Sequence, residues 1–332
     1  VISSNKIFLT WESHQRTRSV AARLGLNLLE ILVSGPRHRR YCLQILTTIR
    51  HLTMLQPKLI VVQNPSLVLT ALALLWRIFT RAKCTIVMDA HNEAIEPMIH
   101  PWARPIAAWC VRKCDFTIVT NRFLAVSVMR QGGCALILPD PLPDIEPVPA
   151  RVLRPREPLR ILVVATYEKD EPIAEILQAA WSLIGVVEFR FTGNYHKLPS
   201  NAAGIGAPNV FFTGFLPRDA YWREMADSHA VMDLTLLDNC LVCGAYEAVA
   251  MRRPMILSDT RALRECFHHG AIFTQPNTKD IVDAVKRLRG AYRDLPAEVS
   301  QLAAFMKAEE EWRVAEILRA ILQSVSATEK QT

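Results

Sequence analysis

The sequence has no apolar run long enough to cross a bilayer. Its longest, Ser66 to Leu75, runs into Trp76 and Arg77 and falls short of the ~20 residues that a spanning helix needs. A cysteine framework is also missing. Eight cysteines are scattered over both halves, which excludes a disulfide-built scaffold and points to a reducing compartment. Cys240 and Cys243 form a CxxC without a second pair at zinc-ribbon spacing, and Cys110 and Cys114 are spaced for one helix face. Small buried hydrophobes account for them, and no metal is expected, because a structural site wants four convergent ligands. No cleavable secretory signal precedes the first apolar segment, so the expected location is the cytoplasm. The basic residues are not interleaved with aromatic platforms, which argues against nucleic acid as a partner.

At 332 residues the chain is long enough for two domains of ordinary size. Half of the residues are hydrophobic and only 21% are charged, a balance that packs cores instead of remaining disordered. The net charge of +7 favours an acidic partner such as anionic lipid or a phosphorylated substrate.

Along the first half, short apolar runs alternate with amphipathic segments. KIFLT (6–10) reads as a buried strand, followed by a loop carrying His14 and Arg16 and a helix through Leu24. A second strand, 28–33, leads into a basic segment in which Leu43, Leu46, Ile49, Leu52 and Leu55 recur every three residues, with Arg37, Arg39, Arg40, Arg50 and His51 around them. The pattern fits a surface helix that could touch anionic lipid; an ordinary solvated face fits it equally. After KLIVVQNP and an apolar return helix, the strand 85–88 ends in Asp89, His91, Asn92, Glu93 and Glu96. Polar groups beyond the carboxyl end of a strand stand where open α/β sheets bind ligands. A carboxylate or imidazole there can take the proton of an attacking hydroxyl, although Asp89 and Asn92 also suit a turn and a cap.

The proline-rich, charged stretch 144–158 reads as a linker between a first domain, 1–143, and a second, 159–332. The alternation then restarts. Thr166 and Lys169 follow the strand LRILVVA, Gly193 ends EFRFTG, and Gly214 ends NVFFTG. The run Val231 to Leu237 is followed by a polar loop and a short helix over 245–251 with Glu247 in its first turn, then by another strand and loop. Strands alternating with helices in two halves imply an α/β architecture of two Rossmann-like, doubly wound domains facing a central cleft. The terminal helix is expected to pack back on the first domain. A carboxylate in the position of Glu247 can accept two hydrogen bonds from a ribose diol, or merely complement the helix dipole.

The second half resembles the GT-B glycosyltransferases, in particular the group called family 4 or group 1. The likeness is carried by GAYEAVAMRRPMILSDTRALREC, then AIFTQPNTKDIVDAVKRL, then EEEWRVAEILRAI. In the first half MDAHNEAIEP is similar to the Asp-x-His-Asn segment of related mannosyltransferases. The resemblance implies that Glu247 matches the second Glu of a Glu-x7-Glu signature and binds the nucleotide ribose. Gly244, Ala245 and Tyr246 would offer backbone donors to the diphosphate. The first Glu of the signature falls on Asn239, with Asp238 beside it. Lys169 and Thr166 stand where an Arg and Lys usually meet the phosphates, and Gly193 and Gly214 belong to the same donor half. His91, Asp89 and Asp238 are the candidates for acid or base chemistry, and His14, Arg16, Asn92 and Glu93 for acceptor binding.

The implied reaction moves a sugar from a nucleoside diphosphate sugar to a hydroxyl of a glycan or lipid-linked acceptor, without a cofactor or metal. The protein would lie in the cytoplasm, peripherally at the inner face of the plasma membrane. A noncatalytic nucleotide-sugar or glycan-binding protein and a nucleotide-sugar epimerase of the same fold are the alternatives.

Overall fold

The computed structural model describes residues 5–64, 67–95, 101–198 and 206–330. Glu96 lies outside them, and of Glu93 only the backbone is described. The chain forms two compact units, one made of residues up to Pro141 and from Glu309 onward, the other of Leu142–Ala308.

The first unit runs β1 (Lys6–Thr10), α1 (Gln15–Arg23), β2 (Asn27–Glu30), α2 (Arg37–Leu55), β3 (Leu59–Asn64), α3 (Leu67–Thr80), β4 (Thr85–Ala90), α4 (Asn92–Ile95), α5 (Arg104–Lys113), β5 (Phe116–Val119), α6 (Arg122–Arg130) and β6 (Ala135–Ile137). Its strands form a six-stranded sheet in the order β2-β1-β3-β4-β5-β6, with parallel pairing throughout. Both faces are covered, which is why the strands are continuous apolar runs instead of alternating ones. Alternate residues feed opposite faces: Ile7, Leu9, Ile60, Ile86 and Met88 enter one core, and Phe8, Val61, Val87 and Ile118 the other.

The second unit runs β7 (Leu159–Val163), α7 (Ile173–Trp181), β8 (Val187–Thr192), β9 (Val210–Gly214), α8 (Arg218–Ala226), β10 (Ala230–Asp233), α9 (Cys243–Ala250), β11 (Met255–Ser258), α10 (Arg261–Cys266), β12 (Ala271–Thr274), α11 (Thr278–Ala291) and the start of α12 (Leu295–Lys330). The strand order is β12-β11-β10-β7-β8-β9. Winding reverses between β7 and β10, the switch point beyond which doubly wound sheets hold ligands. Side-chain caps fix several helix starts: Asn121 accepts from Phe123 N (3.0 Å), and Asn277 from Asp280 N (3.0 Å).

Three local differences from the sequence reading have physical causes. The segment after β11 is not a loop but α10, because Thr260 accepts from Leu263 N (3.2 Å) and starts a helix. The helix α9 begins at Cys243, two residues early, so Glu247 lies beyond its first turn and cannot be explained as a dipole complement there. The stretch expected as a linker is fastened to the second unit. Arg253 is fully buried and donates to the carbonyls of Val148, Pro149, Ala226 and Met251, and Tyr292 Oη donates to Arg151 O (2.6 Å).

The helix α12 belongs to both units. Val299 and Leu302 are buried in its first part. Farther along, Ile317 and Ile321 enter a core of the first sheet with Phe8 and Val61, and Glu310 pairs with Arg23.

Candidate functional site

A cavity of about 500 Å³ in the second unit is walled by the ends of β7, β8 and β9 and by the start of α8. Thr166, Gly193, Asn194, Lys197, Arg218 and Tyr221 are among its lining residues. Gly193 is required by packing: its φ is +80°, and a Cβ there would lie 2.0 Å from the Ala165 carbonyl oxygen. The bare backbone lets the turns after β7 and β8 touch, which closes one end of the cavity. At Gly214, φ is +72° with open space around it; it bends the chain from β9 toward Phe215 and Leu216 in the cavity wall.

At the end of β7 the backbone donors are gathered on an internal carboxylate. Thr166 N donates to both oxygens of Glu171 (3.0 Å each), Thr166 Oγ1 to Oε1 (2.6 Å) and Tyr167 N to Oε2 (2.7 Å). Tyr167 has φ +60°, and successive N–H groups in such a turn form a concave anion site. The adjacent cation is Lys197, whose Nζ donates to Thr166 O (2.9 Å) and Glu168 Oε1 (2.6 Å). Lys169, the cation expected from sequence, is exposed and is not among the residues that line the cavity.

Glu247 is half-buried and accepts a hydrogen bond from Tyr221 Oη, so the tyrosine connects it to the cavity wall. Burial raises its carboxyl pKa and the Tyr221 hydrogen bond lowers it. The Tyr221 phenol is pushed well above its usual range, first by burial and then by the Glu247 charge; it is a standing donor.

Two of the three expected diphosphate donors are engaged within the protein. Gly244 N donates to Asp233 Oδ2 (2.8 Å) and Ala245 N to Val242 O (3.3 Å), while Tyr246 is buried against Phe267. A Cβ at Gly244 would meet Asp233 Oδ2 at 2.5 Å and Val164 Cγ2 at 2.8 Å, so this glycine serves the helix–strand contact. Burial pushes the Asp233 carboxyl well up, against the Gly244 hydrogen bond. Asp238 is exposed and Asn239 half-buried in the turn after β10. That loop is tied to the β7 loop by Leu236 N donating to Asp170 O (2.7 Å).

In the first unit the polar groups beyond β4 converge on Arg16. Its guanidinium donates to Asp89 Oδ1 (2.9 Å), to Asp140 and to Leu138 O (3.1 Å). Arg16 and Asp89 are both buried. Burial opposes the charge on Arg16, but Asp89 and Asp140 outweigh it and raise its pKa. Arg16 is thus committed to an internal pair and is not an exposed acceptor contact. His91 stands beside this pair. Burial lowers its pKa, against the pull of Asp89, and its Nε2 is buried without a hydrogen-bond partner. The His14 ring meets the His91 ring edge-on, 5.4 Å between centroids at 87°. Asn92 opens α4.

Sequence reasoning missed Tyr221, Glu171, Lys197, Arg218, Asp233 and Asp140. Lys197 carried a usable signal, a cation just past the glycine turn that ends β8, and so did Asp233, an acid closing an apolar strand. The Tyr221–Glu247 contact joins residues 26 apart and leaves no local pattern.

No family model and no curated protein sequence matches the chain. Solved structures do. HepE of Anabaena in complex with UDP-glucose superposes with a TM-score of 0.68 at 9% identity, covering 97% of this chain and 99% of that one. Sucrose-phosphate synthase from Thermosynechococcus elongatus gives 0.72 at 11% identity, covering 98% and 97%. An α,α-trehalose-phosphate synthase (UDP-forming) from Burkholderia vietnamiensis gives 0.64 at 13%, covering 94% and 82%. Identities this low establish architecture alone, and the architecture is the one expected from the sequence: two Rossmann-like parallel sheets of six strands each, the GT-B glycosyltransferase fold.

Proposed function

We propose that the chain is a glycosyltransferase that takes a hexose from a nucleoside diphosphate sugar and passes it to a hydroxyl of a lipid-linked or polysaccharide acceptor in surface glycan synthesis. The observation that carries this reading is the cavity at the strand ends of the second unit, with Lys197 and Arg218 in its wall and the Tyr221–Glu247 pair at its edge. Cations in the wall suit a diphosphate, and a carboxylate held by a phenol suits a ribose diol. The likeness to HepE, solved with UDP-glucose, with UDP, and with UDP and glucose, supports the donor class.

In transfer, the bond from the anomeric carbon to the diphosphate oxygen breaks as the acceptor oxygen bonds to that carbon, and the acceptor's proton passes to a base. Negative charge grows on the leaving diphosphate, and Lys197 and Arg218 in the cavity wall would stabilise it and lower the barrier without a metal. For the base we assign His91, which burial keeps neutral and therefore able to accept a proton. The nearby Asp89 charge favours the imidazolium that results, against the Arg16 charge with which it is paired.

Thermal-shift screening with a panel of nucleoside diphosphate sugars tests donor binding, because a ligand of the folded state raises the melting temperature. Release of nucleoside diphosphate is then followed with and without glycan acceptors. Acceptor-dependent release supports transfer. Turnover of the sugar without acceptor would identify an epimerase, and binding without turnover a noncatalytic receptor.

A further inference from the structure

We propose that α2, α3 and α5 of the first unit form a docking face for an anionic bilayer. The inference rests on this face alone and is independent of the sugar-transfer reading.

The three helices lie side by side on one face of the sheet and share its core. Trp76 Nε1 on α3 donates to Thr53 Oγ1 on α2 (3.3 Å). At the other side Arg77 donates to Lys113 O (2.6 Å), at the end of α5. The helix α3 buries Leu69, Ala73, Leu74 and Trp76 inward, and a solvated helix would be polar on its other side. Instead Val68, Leu75, Ile78 and Phe79 are exposed there, Phe79 to 81%.

On α2, Gln44, Thr48 and Leu52 face the core. Arg39, Leu43, Leu46, Arg50 and Met54, spaced by four or three residues, therefore share the opposite side. Leu46 and Met54 are 64% and 69% exposed. Beyond α3 the flank continues through Trp102, 71% exposed, and Ile106, with Arg104 and Arg112 exposed on α5.

Charge selects the occupant. No Asp or Glu occurs between Glu30 and Asp89, a span that holds eight Lys and Arg. Asp115, at the end of α5, is neutralised by Arg77 at 2.5 Å. A second copy of this face would bring the cations of both copies together, which is unfavourable, and a nucleic acid backbone has no use for the aliphatic crest of α3. A bilayer surface with anionic headgroups meets both features: the cations reach phosphates while Leu75, Ile78 and Phe79 enter the acyl boundary. No helix among the described residues is long and apolar enough to cross a membrane, so the helices would lie in the interface plane.

The test is co-sedimentation of the full chain with phosphatidylcholine vesicles, with and without phosphatidylglycerol, at low and high salt. The expected result is binding that requires phosphatidylglycerol and weakens with salt. Arg39→Glu with Arg50→Glu, and separately Leu75→Ser with Phe79→Ser, should each weaken it by about tenfold or more. The arginine pair is exposed on the helix surface, so it reports even where the apolar pair affects folding. Failure to bind phosphatidylglycerol vesicles at low salt would overturn the proposal. So would unchanged binding by the arginine variant. A concentration-dependent dimer that Leu75→Ser with Phe79→Ser dissolves would assign the face to a second copy instead.

Discussion

Tyr221→Phe removes one oxygen and separates the role of Glu247 from that of the cavity wall. The ring keeps its place beside Trp222, with centroids 5.2 Å apart, so the cavity keeps its shape. The lost contact is a hydrogen bond to a half-buried carboxylate, and bonds to charged groups contribute about 1.5–3 kcal/mol. Part of that is recovered when water reaches the freed oxygen, so under the proposed function, with UDP as the probe nucleotide, affinity should fall by about 1 kcal/mol, or about fivefold in Kd. A second effect has a definite sign. The Tyr221 hydrogen bond lowers the Glu247 pKa that burial raises, so removing it lets the pKa climb further. A ribose diol needs the ionised carboxylate as acceptor. As pH falls, the variant should therefore lose UDP affinity at a higher pH than the wild type. Calorimetric titration with UDP across acidic to neutral pH measures both effects. An unchanged Kd together with an unchanged pH midpoint would refute the link between Tyr221, Glu247 and the nucleotide. A lower affinity with no shift in midpoint would reduce Tyr221 to a wall contact.

Three further outcomes follow from the packing. Gly193→Ala forces a Cβ onto the Ala165 carbonyl at a positive φ and should cost at least about 2 kcal/mol, read as a lower urea midpoint; an unchanged midpoint would show that the two turns can separate freely. Arg16→Met leaves Asp89 and Asp140 without their cation and should cost about 3–5 kcal/mol, part of which Asp89→Asn restores in the double variant. His229 is buried, its pKa is lowered to about 4, chiefly by burial, and its Nδ1 accepts from Arg160 N (2.8 Å). A depressed histidine lets the unfolded chain take up the proton first, so its contribution is intact above pH ~6.5 and is lost as pH falls toward 4, by up to about 3 kcal/mol. His229→Asn keeps an acceptor without titrating, and its stability relative to wild type should rise across that window; a constant difference would contradict the assignment.

The fold was legible because both sheets are buried on two faces. Runs such as KIFLT, TIVMD and LRILV leave few alternatives to parallel strands with helices between them. Individual placements at the site were less legible, for reasons that differ from residue to residue. Gly193 was picked out by its position at a strand end, and the structure places it in the cavity wall. Lys169 was chosen by nearness in sequence to the end of β7, but it is exposed, and Lys197, from the neighbouring strand end, is the lysine in the cavity wall. Arg16 read as a candidate for acceptor binding because a loop sequence cannot reveal that Asp89 and Asp140, from the ends of β4 and β6, close on it. Gly244 read as a diphosphate donor because its partner Asp233 lies 11 residues earlier, at the end of β10.

The same carboxylates decide where a diphosphate could enter the second unit under the proposed function. Two sets of backbone donors point to anions, and each is already satisfied by the protein. Asp233 is buried and pinned beneath Gly244, where a Cβ would not fit, so an incoming phosphate has no path to that N–H. Glu171 differs. It is half-buried and reaches back only four or five residues, to Tyr167 and Thr166. A phosphate that enters between Lys197 and Arg218 can replace the Glu171 oxygens one for one, with no N–H left unsatisfied at the end of the exchange. Under the proposed function, donor binding would then be a competition between two anions for one backbone turn. The cations in the cavity wall, Lys197 and Arg218, favour a diphosphate that carries two negative charges over a singly charged carboxylate, which would tip that competition toward the nucleotide.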